Sequence, residues 1–303
     1  MFGRGIFYIL TMLGVLAVVG VIGSIVITAL GIELDKASLI TLLVISAIFG
    51  SIGSIISLFL SKSLVKKSMK VQVITHPRDQ REEWLVKTVS LLAVKKGLKM
   101  PEVGIYYADE MNAFATGWNK DDALVAVSSG LLDRMEQDEV EAVLGHEMSH
   151  VANGDMVTQT LLQGVLNTFV YFFSFVIAQV IIQALSNNRS SNDDNGRNYG
   201  GNYFVYHMIT NFLQMIFGFL ATLVVLWFSR WREYRADAGS AEVLGSRAMI
   251  KALEALKEQH VEKKPDSVKA LCISGADSFA ELFMTHPPLE KRIEALKSKK
   301  YPH

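Results

Sequence analysis

Gly145-His146-Glu147-Met148-Ser149-His150, near the middle of the 303-residue chain, is the stretch around which the fold can be reconstructed. Residues four apart on an α-helix lie on one face, separated by a rise of about 6 Å. His146 and His150 are therefore spaced to bind one zinc ion through their ring nitrogens. Glu147 would then be the general base of a metal-dependent hydrolase. Such a site also requires a third ligand and a suitable setting.

The helix that carries this stretch is predicted from Glu136 to Asn153, with Gly154 as its end signal. At about 100° per residue, its apolar side chains share one face: Val140, Val143, Leu144, Met148 and Val151. The two histidines lie together on the flank of that face, and Glu147 lies between the histidines and the apolar side chains. This position predicts partial burial of Glu147, which raises the pKa of the carboxyl toward that of a useful base. The alternative is a stray charge on an amphipathic helix.

The composition narrows the class of protein. Half of the residues are hydrophobic, which is above the norm for soluble proteins. The formal net charge is zero, so no overall basic field indicates nucleic acid as a partner. Cys272 is the single cysteine, which excludes an intramolecular disulfide and a thiolate cluster. A zinc site in this chain must therefore be built from histidines and carboxylates.

Charged residues are absent from four long runs: Ile6–Ile32, Ala37–Ser61, Met156–Asn188 and Asn198–Ser229. Each run exceeds the roughly 20 residues with which a helix crosses a bilayer. The sequence therefore predicts four transmembrane helices in a lipid bilayer. Buried core helices are the alternative, and the lengths of the runs disfavour them.

Basic residues follow the second and fourth runs, namely Lys62, Lys66, Lys67 and Lys70, and then Arg230, Arg232 and Arg235. The connections at the opposite ends of the spans carry little net charge. By the positive-inside rule, both termini and the segment with the histidines are expected in the cytoplasm. The predicted division is a transmembrane hairpin (1–61), a cytoplasmic protease segment (62–158), a second hairpin (159–229) and a cytoplasmic helical part that completes the site (230–303).

The cytoplasmic segment has an α+β pattern. Strands are predicted at Val71–Thr75, Val103–Tyr107, Asn112–Gly117 and Ala123–Ser128, and a helix at Arg81–Lys96. Trp118 to Asp122 would form the turn between the last two strands. Later helices are expected from Trp231 to about Val261, with a break around Gly245, and from Leu289 to Lys297, with Thr285 or His286 near the cap. Two connections are also predicted: the outer loop Ser186–Tyr203 and the linker Lys263–Asp266.

The third zinc ligand must lie on the same side of the membrane as His146 and His150. Two spans follow His150, so the chain returns to that side near Arg230. The next carboxylates are Glu233 and Asp237, again four residues apart. We assign Glu233 to the metal and Asp237 to a hydrogen bond with the free ring nitrogen of a ligating histidine. In the alternative reading, both carboxylates pair with the neighbouring arginines as interfacial charges.

The stretch from His146 to His150, followed by Arg232-Glu233-Tyr234-Arg235-Ala236-Asp237 and combined with four spans, resembles the HtpX family of membrane-bound zinc heat-shock proteases. These are relatives of the CAAX prenyl proteases. The resemblance covers essentially the whole chain. It implies a mainly α membrane protein with four transmembrane helices and a cytoplasmic, zincin-like α+β metalloprotease domain. It also implies one Zn²⁺ per chain and a site in which Glu147 is the base.

The same resemblance implies two further roles. Asn112 would lie on an edge strand that aligns the substrate backbone, and His286 would come near the oxyanion. Taken alone, Asn112 would be read as a turn or strand-end residue and His286 as a helix cap. The substrates implied are damaged or misassembled proteins of the inner membrane, hydrolysed at its cytoplasmic face during stress.

Two other functions are compatible with parts of the pattern. One is the processing of prenylated C-terminal peptides, for which four spans would have to form a large chamber. The other is a non-enzymatic zinc-binding transporter, which requires ionisable residues inside the spans. The cores of the four predicted spans contain none, and this disfavours transport.

Overall fold

The computed structural model describes residues 36–187, 198–263 and 284–300, together with residues 14, 20, 21, 24 and 25. Most of the first predicted span (6–32) and of the loop 186–203 lies outside the described residues. So does the linker beyond Lys263. In chain order, the described elements are α1 (Lys36–Ser68), β1 (Gln72–Val73), α2 (Gln80–Lys95), β2 (Glu102–Tyr106), β3 (Ala113–Asn119), β4 (Asp122–Ser128), α3 (Ser129–Arg134), α4 (Gln137–Asn153), α5 (Asp155–Asn187), α6 (Asn198–Leu244), α7 (Ser246–Lys263) and α8 (Leu289–Ser298).

Most of the described chain is helical, and three of its helices are long and apolar enough to cross a membrane: Ala37–Ser68, Asp155–Leu185 and Tyr203–Leu244. The second, third and fourth predicted spans lie within them or overlap them. The charged residues after Ser229 do not end the last of these helices. Instead α6, which has 47 residues in all, continues past them to Leu244, where Gly245 breaks it with a φ of +91°. The predicted start of a separate helix at Trp231 is therefore wrong. Charged residues mark the boundary of the membrane, but they do not signal the end of a helix.

The sheet has the strand order β1-β2-β4-β3, in which β2 and β4 are parallel and the two outer pairs are antiparallel. From Ala123 to Ser128, β4 is buried throughout, as expected of a central strand. Trp118 and Asn119 extend β3, so the turn between β3 and β4 is shorter than predicted. Within the described part of the chain, β3 is an edge strand with β4 as its single neighbour.

The core beneath this sheet determines where α4 lies. Fully buried apolar side chains from four helices and a strand meet there: Leu85 and Val89 of α2, Val125 of β4, Leu144 and Met148 of α4, Leu253 of α7 and Leu296 of α8. The five residues predicted as the apolar face of α4 are all buried. The helix therefore presents its opposite flank, with the two histidines, away from the core.

The end of α4 follows from one glycine. Gly154 has a φ of +65°, in the left-handed region that favours glycine, and its N–H bonds back to the carbonyls of His150 and Val151. The next residue, Asp155, already begins α5. The chain therefore passes from the histidine-bearing helix to an apolar helix with no linker, and this brings Asp155 back beside His150.

The described residues fall into two compact units, one from residues 1–56 and 160–225 and the other from residues 57–159 and 226–303. In the first unit α1 and α5 approach closely at Gly50. A Cβ added to Gly50 would lie 2.6 Å from the backbone nitrogen of Thr168 and 2.7 Å from its Oγ1. The side chains of Leu42, Leu43 and Phe172 pack together in the same unit. Such close helix contact through a small residue is typical of membrane helices.

We expect Gly50→Ala to destabilise the protein by about 1–3 kcal/mol, because the added methyl would overlap a rigid backbone. The measurement is the thermal unfolding midpoint in detergent micelles. Gly53→Ala on the same helix is the control, since a Cβ there meets nothing within 4 Å. Equal midpoints for the two variants would contradict the close contact.

Candidate active site

Two helices bring three potential metal ligands together. The Nε2 atoms of His146 and His150, both on α4, are 3.1 Å apart. Glu233 of α6 approaches both, with Oε2 3.4 Å from Nε2 of His146 and Oε1 3.3 Å from Nε2 of His150. One ligand atom from each of the three residues lies within 4.8 Å of the others. The three atoms thus face one common point.

A carboxylate holds the outer nitrogen of each histidine. Oδ1 of Asp237 is 2.9 Å from Nδ1 of His146, and Oδ2 of Asp155 is 2.6 Å from Nδ1 of His150. A histidine that donates its Nδ1 proton to a carboxylate presents Nε2 as a lone-pair donor toward a metal. Both Nε2 atoms are therefore turned to the common point by their carboxylate partners.

The hydrogen bond of Asp237 with a ligating histidine was predicted from the sequence, but the equivalent role of Asp155 was not. The signal was present, because a left-handed glycine that ends a helix returns the following residue toward the last turn. Arg232 fixes the position of Asp155 by donating from Nη1 to its backbone carbonyl at 2.8 Å. The side chain of Arg232 is itself buried, and it also donates to Gln159.

Arg292 of α8 is the second residue that sequence reasoning missed. Its guanidinium forms two parallel hydrogen bonds with Asp237, from Nε to Oδ2 at 2.8 Å and from Nη2 to Oδ1 at 2.6 Å. Its Nη1 lies 3.3 Å from Oε2 of Glu233. The signal was a buried arginine on an apolar face, since helical spacing puts Arg292 beside Ile293 and Leu296. Asp237 thus pairs with an arginine of α8 and not with the neighbouring arginines of α6, as the alternative reading of the sequence expected.

Small residues let α4 and α6 come close enough for this geometry. A Cβ on Gly145 would lie 2.7 Å from Oγ of Ser240, and a Cβ on Gly239 would lie 2.7 Å from Oγ of Ser149. The hydroxyl of Ser240 also donates to the carbonyl of Ala142 at 2.8 Å. These contacts fix the spacing of the helices on which the histidines and Glu233 stand.

The electrostatics of the site favour a cation. Burial alone lowers the pKa of His150, but Asp155 and Glu233, with the charge of Glu147, raise it to about 10. Burial likewise opposes the charged form of His146, and Asp237 and Glu233 still raise its pKa. The pocket therefore attracts protons onto both imidazoles, which is the behaviour of a site with excess negative charge. A metal ion competes for the same lone pairs.

The residues present fit a divalent metal. Two imidazoles and one glutamate are a known ligand set of catalytic zinc, which leaves a coordination position open. Oε2 of Glu233 is buried and makes no hydrogen bond of good geometry with the described residues, although Nδ1 of His286 lies 2.8 Å and Nη1 of Arg292 lies 3.3 Å from it. A buried carboxylate oxygen in that condition is suited to a metal ion.

Glu147 lies beside these groups and is partly buried. Burial raises the pKa of its carboxyl, and the charge of Glu233 raises it further, whereas His146, His150 and His286 act in the opposite direction. The net shift is upward, as the helical projection predicted.

The last two predicted residues, His286 and Asn112, are both exposed. His286 is 63% exposed, and its imidazole contacts Glu233. Pro288 is the N-cap of α8, and Thr285 and His286 precede the cap. Asn112 is exposed and directly precedes β3, where its N–H donates to Oγ of Ser128 at 3.0 Å and its carbonyl accepts from the N–H of Ser128 at 2.9 Å.

Tyr106, the last residue of β2, packs against β3, with its ring centre 5.4 Å from that of Phe114. Its side chain is buried, and burial is the main reason that its pKa rises to about 12. The side chains of Ser128 and Asn112 oppose that shift, whereas the negative charge of Glu147 adds to it.

Comparison with known proteins gives a consistent result. Residues 79–300 match the description of peptidase family M48. The chain is 52% identical over 294 residues to Protease HtpX of Aeromonas hydrophila subsp. hydrophila, covering 97% of this chain and 99% of that protein. It is 48% identical over 243 residues to Protease HtpX of Salmonella arizonae, covering 80% and 82% of the two chains. A crystal structure of S. mikatae Ste24p aligns with a TM-score of 0.57 at 17% identity, covering 95% of this chain and 66% of that one, and shows a similar fold.

We expect Arg292→Gln to destabilise the protein by about 3–5 kcal/mol, because it leaves Asp237 buried without its cationic partner. Thermal unfolding in detergent, with metal removed by a chelator, is the measurement. Arg235→Gln is the matched control, since Arg235 is exposed and stacks on Trp231 with its guanidinium 4.9 Å from the ring centre. A loss of stability no larger for Arg292→Gln than for this control would show that the buried pair is not structural.

Proposed function

The chain belongs to peptidase family M48 and is a membrane metalloprotease, and we propose that it uses one zinc ion held by His146, His150 and Glu233 to hydrolyse peptide bonds. The observation that carries this proposal is the convergence of one atom from each ligand on a common point. Zinc bound there would polarise the carbonyl of the bond to be cut and make water more acidic.

The proton transfers are assigned to Glu147. As general base it takes a proton from the attacking water, and it then delivers that proton to the leaving amine. The raised pKa of its carboxyl supports this double role. A carboxyl with a low pKa accepts the proton poorly, and one with a very high pKa releases it poorly. Its place beside the two histidines supports the same assignment.

Four residues are assigned to positioning and stabilisation. Asp237 and Asp155 fix the tautomers of the two histidines, and the contacts at 2.9 and 2.6 Å support this role. Arg292 holds Asp237. His286, exposed and next to Glu233, is assigned to stabilising the negative charge that develops on the carbonyl oxygen.

Substrate binding is assigned to β3. An edge strand captures an extended peptide by adding it to the sheet, and Asn112 stands where β3 begins. Ala113 and Ala115 of β3 pack against the core cluster that includes Met148 of α4, and this packing of β3 beside the histidine-bearing helix supports the assignment.

The proposed setting is the cytoplasmic face of the inner membrane, with four spans and the domain division given above. The lysines after α1 and the arginines after Ser229 support this orientation. Ser229, the last uncharged residue of its run, precedes Glu233 by about one helical turn, which keeps the site close to the bilayer. This closeness and the similarity to HtpX proteases support membrane proteins as substrates and a quality-control role under stress.

We expect Glu147→Gln to lower the rate of peptide hydrolysis by about 10²–10⁴-fold, because the amide cannot accept the proton. Zinc content should stay at one per chain, measured by elemental analysis of the purified protein. Glu141→Gln, on the same helix, should retain both activity and metal. Undiminished cleavage by Glu147→Gln would exclude it as the base.

We expect Glu233→Gln to weaken zinc binding on the order of 100-fold or more, because one charged ligand is lost. Competition with a chromogenic chelator measures the affinity. Glu242→Gln is the control, since Glu242 is an exposed carboxylate on the same helix. If zinc affinity is unchanged in Glu233→Gln, the third ligand lies elsewhere.

A further inference from the structure

One face of α6 contacts α8 and the residues that lead into it. Arg230, Glu233 and Asp237 are three and four residues apart on α6, so their side chains share this face. The contacts follow the same order along both segments: Arg230 with the carbonyl of Met284, Glu233 with the imidazole of His286, and Asp237 with the guanidinium of Arg292. Two of these contacts belong to the site described above, and the contact of Arg230 does not.

The contact of Arg230 is made to the backbone. Its Nη1 donates to the carbonyl oxygen of Met284 at 3.0 Å. A hydrogen bond to a carbonyl does not depend on which side chain follows, so it constrains the path of the chain itself. Met284 precedes His286 by two residues, and Arg230 precedes Glu233 by about one helical turn. The guanidinium therefore holds the chain just ahead of the imidazole that contacts Glu233.

The chain after His286 is rigid for a different reason. Pro287 is buried, and Pro288 is the N-cap of α8. A proline fixes its own φ near −65° and restricts the residue before it to extended conformations. Beyond the two prolines, Leu296 of α8 is buried in the core. His286 thus lies between a stiff, anchored stretch and the chain that Arg230 holds.

The contact between His286 and Glu233 is a weak anchor by itself. The side chain of His286 is 63% exposed. An exposed ion pair contributes little stability, because water screens it and because ordering the side chain costs entropy. The position of the imidazole therefore depends on how the backbone on each side of it is held. On the side before His286, Arg230 supplies a contact with α6.

On the basis of the proposed function, in which His286 stabilises developing negative charge, we propose that Arg230 is a positioning residue for His286. Arg230 holds the carbonyl of Met284 on α6, and this keeps the imidazole beside Glu233. Arg230 itself does not touch the reacting atoms. Because the charge that His286 stabilises exists only in the transition state, loss of Arg230 lowers kcat and leaves KM unchanged.

The kinetic test uses the full-length protein with zinc in detergent micelles and a peptide substrate. We expect Arg230→Ala to lower kcat on the order of tenfold, which is the effect of losing one hydrogen bond from a charged donor. KM and zinc content should stay unchanged. Arg230→Lys, which keeps a charged donor, should restore most of the activity. A fall in zinc content in Arg230→Ala would overturn the proposal, because Arg230 would then act on the metal ligands.

Arg235→Ala is the matched control. It removes the same charge from the same helix, but the guanidinium of Arg235 stacks on Trp231 and belongs to no contact with the site. This variant should keep the kcat of the unaltered protein. An equal loss of kcat in Arg235→Ala and Arg230→Ala would show that positive charge on α6, and not the contact with Met284, is what matters.

A double-mutant cycle tests whether Arg230 acts through His286. His286→Ala removes the imidazole, so adding Arg230→Ala to it should lower kcat no further. If the two losses multiply in the double variant, Arg230 acts by another route and the proposal is wrong.

A measurement independent of activity reports the segment directly. In protein labelled with ¹³C at the methionine methyl groups, the signal of Met284 is identified by its loss in Met284→Leu. We expect this signal to sharpen in Arg230→Ala, because a released segment moves faster, and to keep its width in Arg235→Ala. An unchanged Met284 signal in Arg230→Ala overturns the present proposal alone. An unchanged kcat in His286→Ala contradicts instead the role that the proposed function gives to His286.

Discussion

Three carboxylates, from Asp155, Glu233 and Asp237, are buried around two imidazoles, and the geometry of the site depends on how this charge is balanced. Removing a carboxylate from water costs several kcal/mol, so each must find a cationic or hydrogen-bonding partner. Two of them bind the outer nitrogens of the histidines, and Arg292 adds a bidentate pair to Asp237. The third, Glu233, faces both Nε2 atoms. Arg292 and His286 also contact Glu233, and protons on the imidazoles or a metal ion would supply the remaining positive charge.

This requirement explains why the site draws on so many elements. The histidines come from α4, Glu233 and Asp237 from α6, Asp155 from the start of α5, and Arg292 from α8. The packing of α4 against α6 through Gly145 and Gly239 is what permits contacts of about 3 Å between their side chains. A larger residue at either glycine would separate the helices before any ligand was changed.

The local features of this arrangement could be predicted from the sequence, because helical periodicity and end signals are local. The spacing of His146 and His150, the apolar face of α4 and the end of the helix at Gly154 follow from residues within two or three turns of each other. The strands were located to within about two residues for the same reason. Arg292 escaped because its partner lies 55 positions away in sequence, and Asp155 because its role depends on the turn at Gly154. The continuity of α6 escaped because hydropathy reports where a span ends and does not report where a helix ends.

The separation of the ligands along the chain has a consequence for biosynthesis. His146 and His150 are translated first, but Glu233 follows only after two long apolar segments, and Arg292 comes later still. With Glu233 as the proposed third ligand, a ribosome-bound chain therefore contains α5 and the apolar part of α6 before it contains all three proposed ligands. On this assignment, the proposed zinc site can assemble only after both apolar segments have been translated, and its contact with Arg292 can form only later.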